Sequence, residues 1–532
     1  MTCYERFTLR GTAKASIKKC ALAVLLAIVT TTGFASEPLT FYGFDKSTQS
    51  PASQEGMEEI YSGRLFQGGI PVATARLMLS AMAGPKKSLG YDPDTPEGKF
   101  YASGRFPSPP DRTIGADSSA GFGLGECVFG PDGKQMVIFN CFTCHAGVVN
   151  GQVVAGLGNN HVNQSDPKRL RTRGDNFGPY SVWRLAAKLV DPAKEGLTIS
   201  NKKTELEALM DSVELPPVDP MPWWLMKYKK KDYWYADAGI HDAASFSINF
   251  TTIHPEMNAH HDEHVKSVAK ALAFARETQS PVFPQALNAE LVQKGADLFH
   301  GRTPPADATG FRACKTCHGS YTKNPTKPDL TQPGSWTVDY DFSHVLRNVK
   351  TDNTYNATLQ KFKPIAEHID KLEAYYAALG TPPELIPHAS VPAEEGYVAP
   401  PLVGVWASAP YFHNGSVPTI DTVLNSSARP EIWSRNARDP HAYDLARVGI
   451  AYQPVTREDF EKSAAAAAGK SFLSQVAIDH GAIYDTKGFG HGNMGHPFGD
   501  RLTADERQAV IEFLKSLSGP DMQPVPKVAE KP

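Results

Sequence analysis

Two stretches of this chain carry residues whose types and spacing can do chemistry: Cys141-Phe142-Thr143-Cys144-His145 and Cys314-Lys315-Thr316-Cys317-His318. In each, two thiols fall on one turn of chain and an imidazole follows the second directly. The thiols can add across the two vinyl groups of a haem, while the histidine swings beneath the ring as a ligand to its iron. Two covalently bound haem c groups are therefore expected. Cys141 and Cys144 would attach the first, with His145 as its axial ligand, and Cys314 and Cys317 the second, with His318. The chain holds 7 Cys and 17 His in 532 residues, and shuffling them would yield about 0.003 such words per chain. A zinc site would want a second Cys/His pair nearby, and a thioredoxin-type site has no use for the trailing histidine.

The elements that must position these words are helices and loops. Asn288 can cap a helix carrying Leu291, Gly295, Leu298 and Phe299, which ends shortly before Cys314. At the far end, Thr503-Ala504-Asp505-Glu506 reads as a capping box ahead of Val510, Phe513, Leu514 and Leu517. Two helices bracketing a haem word is the plan of a small cytochrome c domain. The bracket spans roughly 245 residues against the about 100 to 150 of a common domain, so insertions must fill it. Ala464 to Ala468 is one low-complexity, surface-like example. Around the first word, the Gly/Pro-rich stretch Gly84 to Gly133 argues for irregular loops. Gln135 to Phe139 and Gln152 to Val154 suggest a hairpin flanking the haem turn. Helices are expected over Tyr180 to Leu189, Lys202 to Met210 and His264 to Glu277. The fold class expected is mainly α with long irregular loops, in two cytochrome c-like haem domains.

Arg6, Arg10, Lys14, Lys18 and Lys19 precede an apolar run, Ala21 to Val29, and the small-residue stretch Gly33-Phe34-Ala35. That order is a secretory signal, residues 1–35, cut near Ala35, and it sends the protein to the periplasm or outside the cell. Residues 36–283 and 284–532 then form the N-terminal and C-terminal haem domains, divided where Pro281 and Pro284 mark a linker. Removing the leader deletes Cys3 and Cys20; the haem words take four more cysteines, and Cys127 remains as a small buried thiol. No disulfide framework is possible within one mature chain. Losing five basic residues and Glu5 takes the formal charge from −3 to about −7, which gives no electrostatic claim on nucleic acid.

The words Ala399-Pro400-Pro401-Leu402 and Ala409-Pro410-Tyr411-Phe412-His413-Asn414-Gly415-Ser416-Val417-Pro418-Thr419 resemble the bacterial di-haem cytochrome c peroxidase superfamily. That superfamily includes the di-haem enzyme that matures methylamine dehydrogenase and the secreted rubber oxygenases. Pro401-Leu402-Val403-Gly404-Val405-Trp406 and the tail Gly492-Asn493-Met494-Gly495-His496 look closest to the rubber-oxygenase-like branch.

Several roles are implied by that resemblance. Trp234, in Asp232-Tyr233-Trp234, resembles an inter-haem electron relay, and Glu256, in His254-Pro255-Glu256-Met257, a distal proton-moving glutamate. Peroxidase relatives ligate the second haem with a methionine where this chain has Ser426 and Ser427. His496 is the implied replacement, with His491 and Met494 as rivals. At the first haem, His161 resembles a removable distal ligand. In the rubber-oxygenase branch that position is open and apolar, which Phe246 or Phe250 could supply. His413 would fix the loop over the second haem. His260, His261 and His264 are read as solvated surface. Calcium between the domains is a family possibility that no Asp/Asn-rich loop specifies.

Three functions are in play. The first is a periplasmic di-haem oxidoreductase, in which an electron-transfer haem serves a peroxide-reducing haem with Glu256 as acid/base. The second is a rubber-oxygenase-like dioxygenase cleaving a hydrophobic alkene. The third is a non-catalytic di-haem electron carrier. The partners implied are a small-molecule oxidant, peroxide or dioxygen, and a small periplasmic electron-donor protein.

Overall fold

The structure, a computed structural model, describes residues 39–62, 65, 70–71, 124–129, 134–160, 216–228, 243–244, 261–340, 346–360, 373–374, 377–378, 380–386, 396–436, 439–468, 483–520 and 522. The leader, the helices expected over 180–189 and 202–210, and His161, Trp234, Phe246, Phe250 and Glu256 lie outside the described residues. Helices outweigh strands among those described, and the strands form small sheets of two or three.

The first word is framed by β1 (Thr40–Tyr42), α1 (Pro51–Ser62), β2 (Ile70–Pro71), β3 (Leu124–Phe129) and β4 (Lys134–Phe139), and the chain then enters the one-turn helix α2 (Phe142–His145). It leaves α2 through β5 (Ala146–Val149) and β6 (Gln152–Ala155). The strands sort differently from the expected hairpin. β4 pairs antiparallel with β3, and β6 pairs antiparallel with β5 and parallel with β1. Alternation marks a strand but not its partner. β3, which carries Cys127, also puts regular structure inside the Gly/Pro-rich stretch expected to be loop.

Helix α3 (His261–Glu277) buries Val265, Val268, Leu272 and Phe274, as its spacing required. It crosses α1 at Gly56, where a Cβ would stand 2.1 Å from the Lys270 carbonyl oxygen, so the close approach needs glycine. His264 is 4 % exposed, with Nε2 at 3.2 Å from the Leu65 carbonyl oxygen. It faces this core rather than water, correcting the surface reading.

The second core repeats the device. Helix α4 (Ala289–His300) is capped by Asn288, whose Oδ1 accepts from the Glu290 and Leu291 amides. The second word forms the one-turn helix α5 (Lys315–His318), followed by β7 (Ser320–Lys323), β8 (Trp336–Asp339), β9 (Leu346–Arg347) and β10 (Tyr397–Val398). Beyond the Pro-Tyr-Phe-His-Asn-Gly word come α6 (Ile420–Val423), β11 (Ile432–Arg435), α7 (Arg457–Ala468), β12 (Ile483–Asp485) and α8 (Ala504–Ser516). The alanine run at 464–468 is thus helical. The expected capping box is present at Thr503 and Glu506. α4 and α8 cross at Gly295, where a Cβ would lie 1.9 Å from the Ala509 carbonyl oxygen. Phe513 of α8, fully buried, meets Phe299, Tyr321 and Trp336.

The two cores interlock. Val149, Val154, Leu157, Trp224, Leu225 and Tyr228 come from the first half of the chain yet belong to the second cluster, and Met221 packs against both. Among the described residues, no helix is long and apolar enough to cross a membrane.

Candidate functional site

The two words adopt the same local geometry. Cys141 and Cys314 have nearly equal helical dihedrals, φ −59°, ψ −28° and φ −58°, ψ −33°. In each, the histidine amide donates to the first cysteine's carbonyl at 3.0 Å. One helical turn therefore places both thiols and the imidazole together. None of the four cysteines is in a disulfide. Burial pushes Cys141 and Cys314 up to about 12, with the second thiol of each word adding to the rise.

At the second word an apolar-walled cavity opens onto Cys314, Cys317 and His318. The His318 Nδ1 lies 2.8 Å from the Pro400 carbonyl oxygen, which leaves Nε2 as the nitrogen free to ligate. Pro400 is itself held in place: Tyr340 donates to the Ala399 carbonyl, and the Leu402 amide donates to Tyr321 Oη at 2.6 Å. Opposite stands His496, its ring between the edges of Phe412 and Phe498. The centroids of His318 and His496 are 6.2 Å apart. Metal–imidazole bonds of about 2.0–2.1 Å put two rings on opposite sides of one ion at a centroid spacing of about 6.3 Å. The residues present therefore fit an iron between the two imidazoles, with two thiols at hand for its macrocycle. Burial holds His496 down at about 3 and lowers His318, so both imidazoles are neutral at physiological pH, as a ligand must be.

The rivals to His496 are directed elsewhere. His491 is buried against Tyr484, with Nδ1 3.1 Å from the Asp485 carbonyl oxygen, and Met494 is 65 % exposed. Ser426 bonds to both carboxylate oxygens of Asp500 at 2.7 and 2.6 Å, fastening the segment beyond His496. His413 stacks on Tyr397 at 4.0 Å in the cavity wall, and burial holds it at about 4.

At the first word, His145 stacks on Trp223 at 4.8 Å, and burial holds it at about 3 against a smaller pull from the Met221 backbone. Trp223 opens a short 3-10 helix, Trp223–Tyr228, in a segment, 216–228, that also supplies Asp219, Met221 and Leu225 to the second cavity. Its amide donates to the Gly156 carbonyl at 2.8 Å, and the Asp219 amide to the His413 carbonyl at 2.7 Å. The segment thus touches both sites. Sequence reasoning passed over it; the adjacent Trp223-Trp224 pair was the available signal. Among the described residues, no group of three or more His, Cys, Asp and Glu is placed to hold a bare metal ion such as calcium.

Residues 396–434 match a family described as RoxA-like, cytochrome c-like. The match covers Pro400, Phe412, His413 and the segment leading to β11. Two uncharacterized proteins of Sinorhizobium fredii (strain NBRC 101917 / NGR234) are also similar. The protein y4iM is 37 % identical over 146 residues, 25 % of this chain and 30 % of its own length. The protein y4iJ is 32 % identical over 137 residues, 24 % of this chain and 19 % of its own length. The similarity therefore spans less than a third of either relative. The match over residues 396–434 relates that part of the chain to a cytochrome c-like family.

Proposed function

We propose that this protein is a di-haem c-type oxidoreductase of the rubber-oxygenase-like kind, acting with dioxygen on a hydrophobic alkene. The observation that carries the haem reading is the pairing of His318 with His496 across the cavity that Cys314 and Cys317 border. The RoxA-like match over 396–434 favours the oxygenase over the peroxidase. Haem c would supply the redox chemistry: six-coordinate iron passes electrons, and iron with an open position binds dioxygen or peroxide.

In this reading the chain's own residues divide the work. His318 and His496 would hold the second haem's iron, and with no thioether ligand that haem would supply an electron store of low potential. Cys141, Cys144 and His145 would hold the first haem, which would supply the chemistry on substrate. Trp223, stacked on His145 and two residues from Met221 in the second cavity wall, is a relay candidate in addition to Trp234. The localisation remains periplasmic or extracellular, with a small electron-donor protein as partner.

Peroxide reduction is the second reading, favoured by the Glu256 word. There Glu256 would protonate the departing oxygen, sparing release of hydroxide in a dry pocket. Optical titration of the reduced protein with carbon monoxide, dioxygen and peroxide separates the readings. A stable dioxygen adduct together with cleavage of polyisoprene supports the oxygenase. Rapid peroxide turnover lost in Glu256→Gln supports the peroxidase. If no exogenous ligand binds either haem, the protein is an electron carrier and both enzyme readings fall.

A further inference from the structure

His496 sits on a segment that does not hold itself in place. Its backbone is left-handed, φ 49° and ψ 58°, and the preceding Gly495 is at φ 80° with its α-carbon against the Lys350 carbonyl group. Several ties reach this segment from elsewhere in the chain. The Gly492 amide donates to Asp352 Oδ2 at 3.0 Å, Asn493 Nδ2 to the Pro430 carbonyl at 2.9 Å, and the His496 amide to the Val349 carbonyl at 2.9 Å. The tie that makes the most bonds to residues 493–496 is Arg429.

The Arg429 guanidinium spends all five of its N–H donors on backbone carbonyls. Nη1 donates to Asn493 at 2.8 Å and Gly495 at 2.7 Å, and Nη2 donates to His496 at 3.2 Å. Its remaining bonds, Nε to Thr422 at 3.0 Å and Nη2 to Val423 at 3.1 Å, fasten it to the end of α6. The guanidinium carbon also lies 5.0 Å from the centre of the Phe412 ring, whose edge-on neighbour is His496. One planar side chain thus joins the ligand-bearing segment, α6 and the aromatic wall beside the imidazole.

We infer that Arg429 is a positioning residue for the second haem: it holds the 493–496 segment so that His496 stands opposite His318 at ligand distance. The inference rests on the reading of His318 and His496 as axial ligands. Without the clamp, the imidazole is tethered but no longer pre-placed, and its effective concentration at the iron falls. Lysine cannot replace the arginine, because an ammonium offers three donors from a point and no planar fork.

The test uses the full-length haem-loaded protein, with Arg429→Ala and Arg429→Lys compared by electron paramagnetic resonance, optical spectra and redox titration. Covalent haem content is measured on the denatured chains. The expected result is two attached haems in both variants, loss of most of the second haem's low-spin bis-imidazole signal, a changed midpoint potential for that haem only, and recovery of the signal on adding free imidazole. The first haem is the internal reference for correct folding, and Arg429→Lys carries the same reading should Arg429→Ala fail to accumulate. Variants that keep the wild-type low-spin signal and potential overturn the inference. Absence of a bis-imidazole signal in the wild type itself would instead overturn the axial-ligand reading, and the inference with it.

Discussion

The indole of Trp223 stacks on the imidazole of His145, with 4.8 Å between ring centres and 25° between planes. Trp223 also meets Phe142 and Phe274, so it joins the haem word to α3 as well as supporting the histidine. Trp223→Ala should cost about 3–5 kcal/mol, as expected for an emptied aromatic site, and Trp223→Phe clearly less. Urea denaturation of the two variants checks this, and equal midpoints would deny Trp223 its packing role. The spectrum of the first haem should shift in the alanine variant alone.

His496 can be exchanged for ligands of known character. His496→Ala should open the second haem to carbon monoxide and convert it from low to high spin. His496→Met, if the thioether reaches the iron, should raise its midpoint potential. An unchanged low-spin spectrum in the alanine variant would remove His496 from the site and return attention to His491 and Met494.

Gly295 has no room for a side chain, because the Ala509 backbone occupies the place of its Cβ. Gly295→Ala should push α4 and α8 apart and destabilise the fold by about 1–3 kcal/mol, the usual range for overpacking. Denaturant midpoints measure it. A wild-type midpoint would mean that the crossing slides without cost.

Helix α7 is tied to the sheet by Arg457, which bonds Asp485 at 2.6 and 2.8 Å and Glu431 at 2.6 and 3.2 Å. Burial works to raise the Asp485 carboxyl, but the bonds from Arg457 outweigh it and the net direction is down; Glu431 is lowered chiefly by Arg457. A carboxylate depressed in the folded state stabilises above its unfolded value, near 4, and the benefit is lost as pH falls through the folded value. Arg457→Ala should therefore lower the thermal midpoint at pH 7, and the difference from the parent should narrow as pH falls below about 4. A constant difference across that range would contradict the linkage.

Much of the secondary structure around the second word was legible because its signals are short-range. The Asn288 cap and the Thr503–Glu506 capping box each lie within four residues, and both helices formed where those signals stand. Strand partners near the first word were not legible, since Gln135 to Phe139 and Gln152 to Val154 alternate similarly but join different sheets. The placement of His264 failed for a related reason: its burial depends on the Leu65 carbonyl, supplied by a remote loop.

By itself, the sequence determined the two Cys-x-x-Cys-His turns, because one helical turn brings two thiols and an imidazole together whatever surrounds them. The family resemblance its motifs carry implied that His496, or its rivals His491 and Met494, faces His318. Which of them does so was decided only by the tertiary structure. A ring's direction depends on the carbonyls and aromatic edges that remote segments bring to it. Arg429, Val349 and Phe412 turn His496 toward the cavity, while Tyr484 and the Asp485 carbonyl hold His491 away from it.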